Sequence, residues 1–318
     1  MASSQEEDES VGDIDQLPFL LTLLDDPNPK VQAGLVEQLA AWGDALEPAL
    51  EELGTELSES RRRRLDSLIR EPGRAHLRDL WDDWQTIGDD TRRLEAGLGL
   101  ISDYERGELN RRRSGTDELA RRISELAAEY DETHSTRDAA LLADFLFVQR
   151  ELRGAREDEY NQPAASDLIQ VIDGGPGLPI TLSCVFLLVG RRLELEVDGC
   201  NCPGHFMARA IVSGRPVLVD CFSGGRLLGD SIIMTLRDSD RRALINAADL
   251  RATPEQIVAR VLRNLERCYD EVGREDDSEL ARELHDRLIG ADLFNPDDTG
   301  PDLPGGGLDL PEFGGGES

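Results

Sequence analysis

Residues 174–229 read GGPGLPITLSCVFLLVGRRLELEVDGCNCPGHFMARAIVSGRPVLVDCFSGGRLLG. This segment passes from a loop rich in glycine and proline into an apolar run, and then into alternating strands. It also contains four of the five cysteines and one of the four histidines of the chain. We therefore expect the fold to be organised around this segment and any chemistry of the protein to lie within it.

A buried helix is predicted to begin at Pro179. The preceding residue, Leu178, is driven toward an extended conformation, whereas proline suits a first helical turn because its missing N–H has no partner there. The residues that follow are apolar on nearly every side, which is typical of a helix enclosed by protein. Arg191 and Arg192 then fall in the last turn, where cations oppose the negative end of the helix dipole.

Three short strands are predicted after this helix. Residues 195–198 form the first, and residues 205–212 and 216–220 form two more around the glycine-containing loop Ser213-Gly214-Arg215. Such a loop between two runs of β-branched residues indicates a hairpin. His205 would open one strand and Asp220 would close its antiparallel partner. We therefore expect their side chains to lie close together at one end of the hairpin.

Several motifs in this region resemble the SirB-type transglutaminase-like proteins. The resemblance covers roughly residues 90–290 and is strongest in segments 177–183, 191–193, 203–206 and 219–228, with flanking matches at 152–160 and 258–266. It implies an α+β fold that is mostly helical. Its transglutaminase-like (papain-like) core would be a buried helix packed on a small antiparallel sheet.

The chemistry of this superfamily implies a catalytic triad. A cysteine at the N-terminus of a buried helix is activated by the helix dipole and a histidine, and an aspartate orients that histidine. His205 and Asp220 match the last two roles, but Pro179 stands where the enzymes carry cysteine. Thr181 offers a hydroxyl in the first turn, and Cys184 lies more than one turn deeper. The candidate catalytic residues are therefore His205 and Asp220, with Thr181 or Cys184 as an unusual nucleophile.

Each of these residues also has an ordinary structural interpretation. Cys184 stands among apolar residues, and free cysteine is one of the residue types that are most often buried in a core. His205 would bond a loop backbone. Asp220 would form a turn before Ser223, since aspartate commonly accepts hydrogen bonds from nearby amides.

The cysteines suggest a zinc site as a further alternative. Cys200, Cys202, His205 and Cys221 supply three thiols and one imidazole, which are tetrahedral zinc ligands by type. The single residue between the first two cysteines is not a strong zinc spacing. The resemblance calls for no metal, and we predict no cofactor.

The composition restricts the range of partners. Among 318 residues, 65 are acidic and 35 basic, and the net charge of −30 opposes binding to nucleic acids and to anionic membranes. Lys30 is the single lysine among those basic residues. Abundant carboxylates with almost no lysine suggest adaptation to high salt, a hypothesis that equal stability at low and molar salt would contradict.

The sequence predicts a cytoplasmic location. The N-terminus is acidic where a signal peptide is basic and then apolar, and the chain has no run of eighteen apolar residues. An odd number of cysteines in a chain of this length does not suggest a disulfide framework.

Five regions are predicted along the chain. Residues 1–13 form a disordered acidic N-terminus, 14–90 a helical region with one HEAT-like repeat, and 91–240 the transglutaminase-like core with its leading helices. Residues 241–292 form a tetratricopeptide-like helical pair that starts at Thr253, and 293–318 form a disordered tail.

Two functional hypotheses follow. The first is an interaction or regulatory module built on a core that lacks the standard nucleophile, with a protein or peptide as partner. The second is an amide-bond hydrolase or acyltransferase that uses His205 and Asp220. The proline at position 179 favours the module, and the preserved histidine and aspartate favour the enzyme. Substrate and oligomeric state are not predicted.

Overall fold

The structure is a computed structural model that describes residues 14–42, 45–54, 57–109, 116–202, 205–229 and 251–289. The two predicted disordered segments, 1–13 and 293–318, lie outside the described residues. The chain divides into two compact units. One contains Met1–Asp79 and Gly107–Arg113, and the other contains Leu80–Arg106 and Ser114–Ser318.

The first unit is built from helices that bury leucine-rich faces. Its described helices are α1 (Leu17–Thr22), α2 (Pro29–Ala40), α3 (Leu46–Glu52) and α4 (Glu59–Leu80, which ends at the unit boundary). Asn28 caps α2 by accepting a hydrogen bond from the amide of Lys30. The core of this unit includes Leu17, Leu24, Leu35, Leu39, Trp42, Leu46 and Leu65.

The second unit begins with helices that surround the central segment. They are α5 (Asp90–Glu105), α6 (Thr116–Thr133), α7 (Ala139–Asp144) and α8 (Leu168–Ile172). A π-helical turn, Phe145–Gln149, follows α7, and a 3-10 turn, Pro163–Ser166, precedes α8. Two short strands pair in parallel: β1 (Arg153–Gly154) follows the π-helical turn, and β2 (Pro176–Gly177) directly precedes the next helix.

Helix α9 (Pro179–Arg192) is the buried helix that the sequence predicts to begin at Pro179. Its first twelve residues are all buried, and it packs against α6, α8 and the main sheet. A Cβ atom at Gly190 would lie 3.0 Å from the side chain of Val197, so glycine permits the close approach of helix and strand here. The prediction of a helix enclosed by protein is confirmed.

Within the described residues, the main sheet has five antiparallel strands in the order β6-β5-β4-β3-β7. The strands are β3 (Val197–Cys200), β4 (Met207–Val212), β5 (Arg215–Asp220), β6 (Arg226–Leu228) and β7 (Arg251–Ala252). Ser213 and Gly214 form the β4–β5 turn with φ of 51° and 75°, as a tight two-residue hairpin requires. The hairpin prediction is confirmed, although Arg215 belongs to β5 and not to the loop.

The first strand begins two residues later than predicted. Leu195 belongs to the C-terminal cap of α9 and not to the strand, because its amide donates a hydrogen bond to the carbonyl of Gly190 at 2.9 Å. Glu194 adopts a left-handed conformation with φ of 60°, and its amide donates to Arg191. This pattern closes the helix C-terminus, and the strand begins after it, at Val197.

The described part of this unit ends with a helical pair, α10 (Pro254–Glu271) and α11 (Glu275–Ile289), which pack against each other. Thr253 and Gln256 form a reciprocal capping box at the start of α10, as the sequence indicates. Buried α9 on a small antiparallel sheet, within a mostly helical chain, confirms the α+β fold class. In the part of the chain that the structure describes, no helix combines the length and the apolar character needed to cross a membrane.

Candidate functional site

His205 and Asp220 are joined at one end of the β4–β5 hairpin. Asp220 is the last residue of β5, and His205 lies two residues before β4. The imidazole Nε2 donates to Asp220 Oδ1 at 2.9 Å, and the two residues are 3% and 2% exposed. The sequence predicts this pairing, and the geometry brings the two side chains together in a buried position.

Asp220 is held as a carboxylate. Burial alone would raise its pKa. The hydrogen bond and charge of His205 and the hydrogen bonds from Ser223 lower it, and together they outweigh the effect of burial. The pKa of Asp220 therefore lies below its ordinary value. The amide of Ser223 donates to Oδ1 at 3.1 Å, which also realises the predicted turn-forming contact. An ionised Asp220 fixes the proton of His205 on Nε2 and leaves Nδ1 as the nitrogen that can accept a proton.

An aromatic pair borders the histidine. The ring of Phe222 meets the imidazole edge-on with centroids 6.0 Å apart, and Tyr160 meets Phe222 in the same manner at 6.1 Å. A Cβ atom at Gly154 would lie 2.8 Å from the ring of Phe222, so this glycine gives the ring its space. The site is thus walled by apolar rings, which strengthen the electrostatic interactions inside it.

Arg260 of α10 clamps the loop that leads to His205, and sequence reasoning missed it. Its guanidinium donates to Asn201 Oδ1 at 2.6 Å and to the carbonyl of Cys202 at 2.9 Å. The same carbonyl accepts the amide of His205 at 3.3 Å. Arg260 is 1% exposed and lies 5.6 Å from the ring centre of Phe206. An arginine among the mostly apolar buried residues of α10 was the signal available in the sequence.

Helix α9 begins at Pro179, the residue that the sequence resemblance predicts in place of a catalytic cysteine. Thr181, the hydroxyl candidate, is fully buried and donates to the carbonyl of Ala165 at 2.9 Å. The amide of Leu178 donates to the same carbonyl at 3.1 Å. The Thr181 hydroxyl proton is therefore used to tie α9 to the preceding turn and is not directed at His205.

All five cysteines are free thiols and all are buried. Cys184 lies inside α9 with no exposed surface, in accordance with its core-packing interpretation. Burial raises the pKa of Cys221, and burial also raises the pKa of Cys268 to about 11. The pKa of Cys202 is raised well above its ordinary value by its hydrogen bond with Cys200 and by burial. These three thiols are poor nucleophiles near neutral pH because the thiolate is the reactive form.

The geometry gives the zinc alternative no support. The sulfur atoms of Cys200 and Cys202 lie 3.3 Å apart, while the Cys221 thiol donates to the carbonyl of Val219 at 3.8 Å. His205 Nε2 is bonded to Asp220. Across the described ranges, no group of three or more histidine, cysteine, aspartate or glutamate side chains is arranged to hold a metal ion.

Sequence comparisons place this site in a known family. The profile described as "Transglutaminase-like superfamily" matches residues 113–263, which include His205 and Asp220. A UPF0162 protein of Xylella fastidiosa (strain 9a5c) is 32% identical over 223 residues, which cover 67% of this chain and 76% of the relative. The chain belongs to the UPF0162 family, and its residues 113–263 form a transglutaminase-like superfamily domain.

A second relative is a UPF0162 protein of Pseudomonas aeruginosa. It is 31% identical over 160 residues, which cover 49% of this chain and 57% of the relative. No solved structure matches the chain. Family membership fixes the fold of the core, whereas the activity has to be argued from the residues of the site.

Proposed function

We propose that this transglutaminase-like protein is an interaction or regulatory module of the SirB type that lacks standard thiol catalysis. One observation carries the proposal. Pro179 is the first residue of α9, at the position where a thiol nucleophile would be activated by the helix dipole. A proline side chain has no group that can attack a carbonyl carbon.

The state of the thiols supports the same proposal. A catalytic cysteine requires a lowered pKa and access to substrate, and such cysteines sit in electropositive, partly exposed surroundings. The five cysteines are buried, and the pKa values of Cys202, Cys221 and Cys268 are raised. In this proposal, the His205–Asp220 pair stabilises the open end of the hairpin and does not activate a nucleophile.

A protein or peptide is the partner that we propose for the module. The HEAT-like repeat within residues 14–90 and the tetratricopeptide-like pair of α10 and α11 belong to this proposal, because stacked helical pairs commonly present binding surfaces. The net charge of −30 disfavours nucleic acids and anionic lipids. We also propose a cytoplasmic location, which the five free cysteines support. Adaptation to high salt is a further part of the proposal.

A second candidate function is an amide-bond hydrolase or acyltransferase. It is favoured by the His205–Asp220 pair, in which the lowered pKa of Asp220 keeps the orienting carboxylate charged. Within the described residues, Nδ1 of His205 has no hydrogen-bond partner and would accept a proton from a nucleophile. Thr181 or Cys184 would have to supply that nucleophile, and Thr181 would first have to release Ala165.

Thiol reactivity distinguishes the module from an enzyme that uses Cys184 as its nucleophile. The full-length protein is treated with a limiting amount of an alkylating reagent across a pH series, and intact-mass spectrometry follows the rate of modification. The wild-type chain is compared with His205→Ala and Cys184→Ala. If the protein is a module, all cysteines should be modified slowly, and the rate should rise only as the pH approaches an ordinary or raised thiol pKa. His205→Ala should not change these rates.

The opposite result would overturn the module. Rapid modification of a single cysteine at neutral or lower pH, slowed by His205→Ala, identifies an activated thiol. Its disappearance in Cys184→Ala would assign that thiol to α9 and establish the enzyme candidate.

A further inference from the structure

A second concave site lies in the unit that contains the transglutaminase-like core. It is a cavity of about 380 Å³ that is bounded by the end of α5, the turn Pro163–Ser166 with α8, and the connection between α10 and α11. Its lining does not include His205 or Asp220. A volume near the lower end of the range for small-molecule pockets suits a ligand of metabolite size.

One wall of this cavity is a hydrogen-bonded ion network centred on Arg274. The two carboxylate oxygens of Glu105 accept hydrogen bonds from Arg274 at 3.1 and 3.0 Å, and one also accepts the hydroxyl of Tyr269. Arg274 donates a further bond to Asp277 at 2.6 Å. Because these groups are hydrogen-bonded to one another, this wall contributes shape and rigidity, and its two carboxylates and one guanidinium leave it a net negative charge.

Arg106 is the second arginine of the cavity lining. It follows the last residue of α5, is exposed, and has no ion-pair partner among the described side chains. Its positive charge is felt by Asp167, whose pKa it lowers in part. A guanidinium in this position can bind a carboxylate through two parallel hydrogen bonds.

Asp167 is the acidic counterpart. It is 1% exposed, and its Oδ1 caps α8 by accepting the amide of Ile169 at 3.0 Å. Burial raises its pKa to about 6, against the opposing effects of the Ser102 hydroxyl, the Ile169 amide and Arg106, while the charge of Glu105 adds to the rise. A buried carboxylate of this kind is stabilised when a cation binds beside it.

We propose that the cavity binds a small zwitterion, an α-amino acid or a dipeptide, with its carboxylate at Arg106 and its ammonium group at Asp167. The exposed amides of Gln162 and Gln170 provide further hydrogen-bonding groups, and Val272 provides an apolar surface for the side chain. This inference does not depend on the function proposed for the His205–Asp220 pair.

The test is a calorimetric titration of the full-length protein with L-alanine and L-alanyl-L-alanine. N-acetyl-L-alanine lacks the ammonium group and therefore cannot make the proposed contact with Asp167. L-alaninamide lacks the carboxylate and cannot make the proposed contact with Arg106. The variants are Arg106→Gln and Asp167→Asn, and Asn preserves the helix cap. Arg215→Gln, at an exposed position on β5, is the matched control.

The expected result is binding of at least one zwitterion, with about tenfold weaker binding of both blocked compounds. Arg106→Gln and Asp167→Asn should each weaken binding by about tenfold, and Arg215→Gln should leave it unchanged. Wild-type affinity should rise between pH 5 and pH 7.5, because Asp167 must lose its proton before it can accept the ammonium group.

Two results would overturn the proposal. One is the absence of binding of both zwitterions at millimolar concentration in a protein whose circular dichroism is that of the folded chain. The other is binding that the blocked compounds reproduce or that Arg106→Gln leaves unchanged.

Discussion

His205 Nε2 and Asp220 Oδ1 lie 2.9 Å apart, although fifteen positions separate the two residues along the chain. The β4–β5 register explains this approach, because Ala208 pairs with Val219 and the residues beyond each converge at the same end of the hairpin. A short, glycine-containing turn at the other end thus sets the distance between the two functional candidates.

Replacing Asp220 should destabilise the protein in a manner that depends on pH. Asp220→Ala leaves the imidazole N–H and the amide of Ser223 without their acceptor, at a cost of about 1–3 kcal/mol in the free energy of unfolding. Asp220→Asn keeps an acceptor oxygen and should cost less. Urea unfolding at neutral pH measures both variants.

The pH dependence follows from the lowered pKa of Asp220. A carboxyl whose pKa is lower in the folded state stabilises the protein above its unfolded pKa of about 4, and this contribution is lost as pH falls through the folded pKa. The difference between wild type and Asp220→Asn should therefore shrink in acid. If Asp220→Ala were as stable as wild type, the His205–Asp220 hydrogen bond would not contribute to the stability of the fold.

Cys184→Ala should cost an amount typical of a small core cavity, on the order of 1 to 2 kcal/mol. The thiol is fully buried within α9, and its removal leaves space that the neighbouring apolar side chains fill incompletely. Thermal or urea unfolding provides the measurement. Unchanged stability with loss of an assayed acyl-transfer activity would instead assign the thiol to catalysis.

Gly224 and Gly225 form a matched pair for testing close packing. Both adopt left-handed φ, 76° and 73°, so an alanine at either site has a similar backbone penalty of about 1–2 kcal/mol. A Cβ atom at Gly224 meets nothing within 4 Å, whereas one at Gly225 would lie 2.4 Å from the ring of Phe147. Gly225→Ala should therefore lose about 1–3 kcal/mol more than Gly224→Ala. Equal losses in urea unfolding would exclude this packing contact.

Asp167→Asn should stabilise the ligand-free protein near neutral pH. The pKa of Asp167 rises to about 6 in the folded state, so folding disfavours its charge and the wild type loses stability as pH rises from about 4 through 6. The variant avoids that loss and should be more stable by about 1–3 kcal/mol above pH 6. Below pH 4 the difference should vanish, and an advantage that persists there would point to another cause.

Local signals account for the parts of the fold that the sequence predicts. Pro179, Gly214 and Thr253 each impose a conformation within a few residues, and each marks the start or turn of an element that the structure contains. The pairing of His205 with Asp220 followed from the same logic, because a hairpin fixes which strand ends meet.

The missed features depend on contacts between distant segments. Arg260 reaches Asn201 across 59 positions, and no periodicity within α10 specifies that partner. Asp167 and Arg106 come together only because α5 packs beside α8. The engagement of Thr181 with Ala165 likewise depends on how the turn before α8 meets the first turn of α9.

The strand order has a consequence for the order in which the site assembles. The β4–β5 hairpin is local and can form in microseconds, whereas β7 pairs with β3 through Gly199 and Ala252, more than fifty residues apart. Helix α10 starts directly after β7 and carries the arginine that holds the loop before His205. During synthesis, His205 and Asp220 therefore leave the ribosome before their clamp exists. The loop before His205 can be held by its hydrogen bond from Arg260 only after translation has passed that arginine.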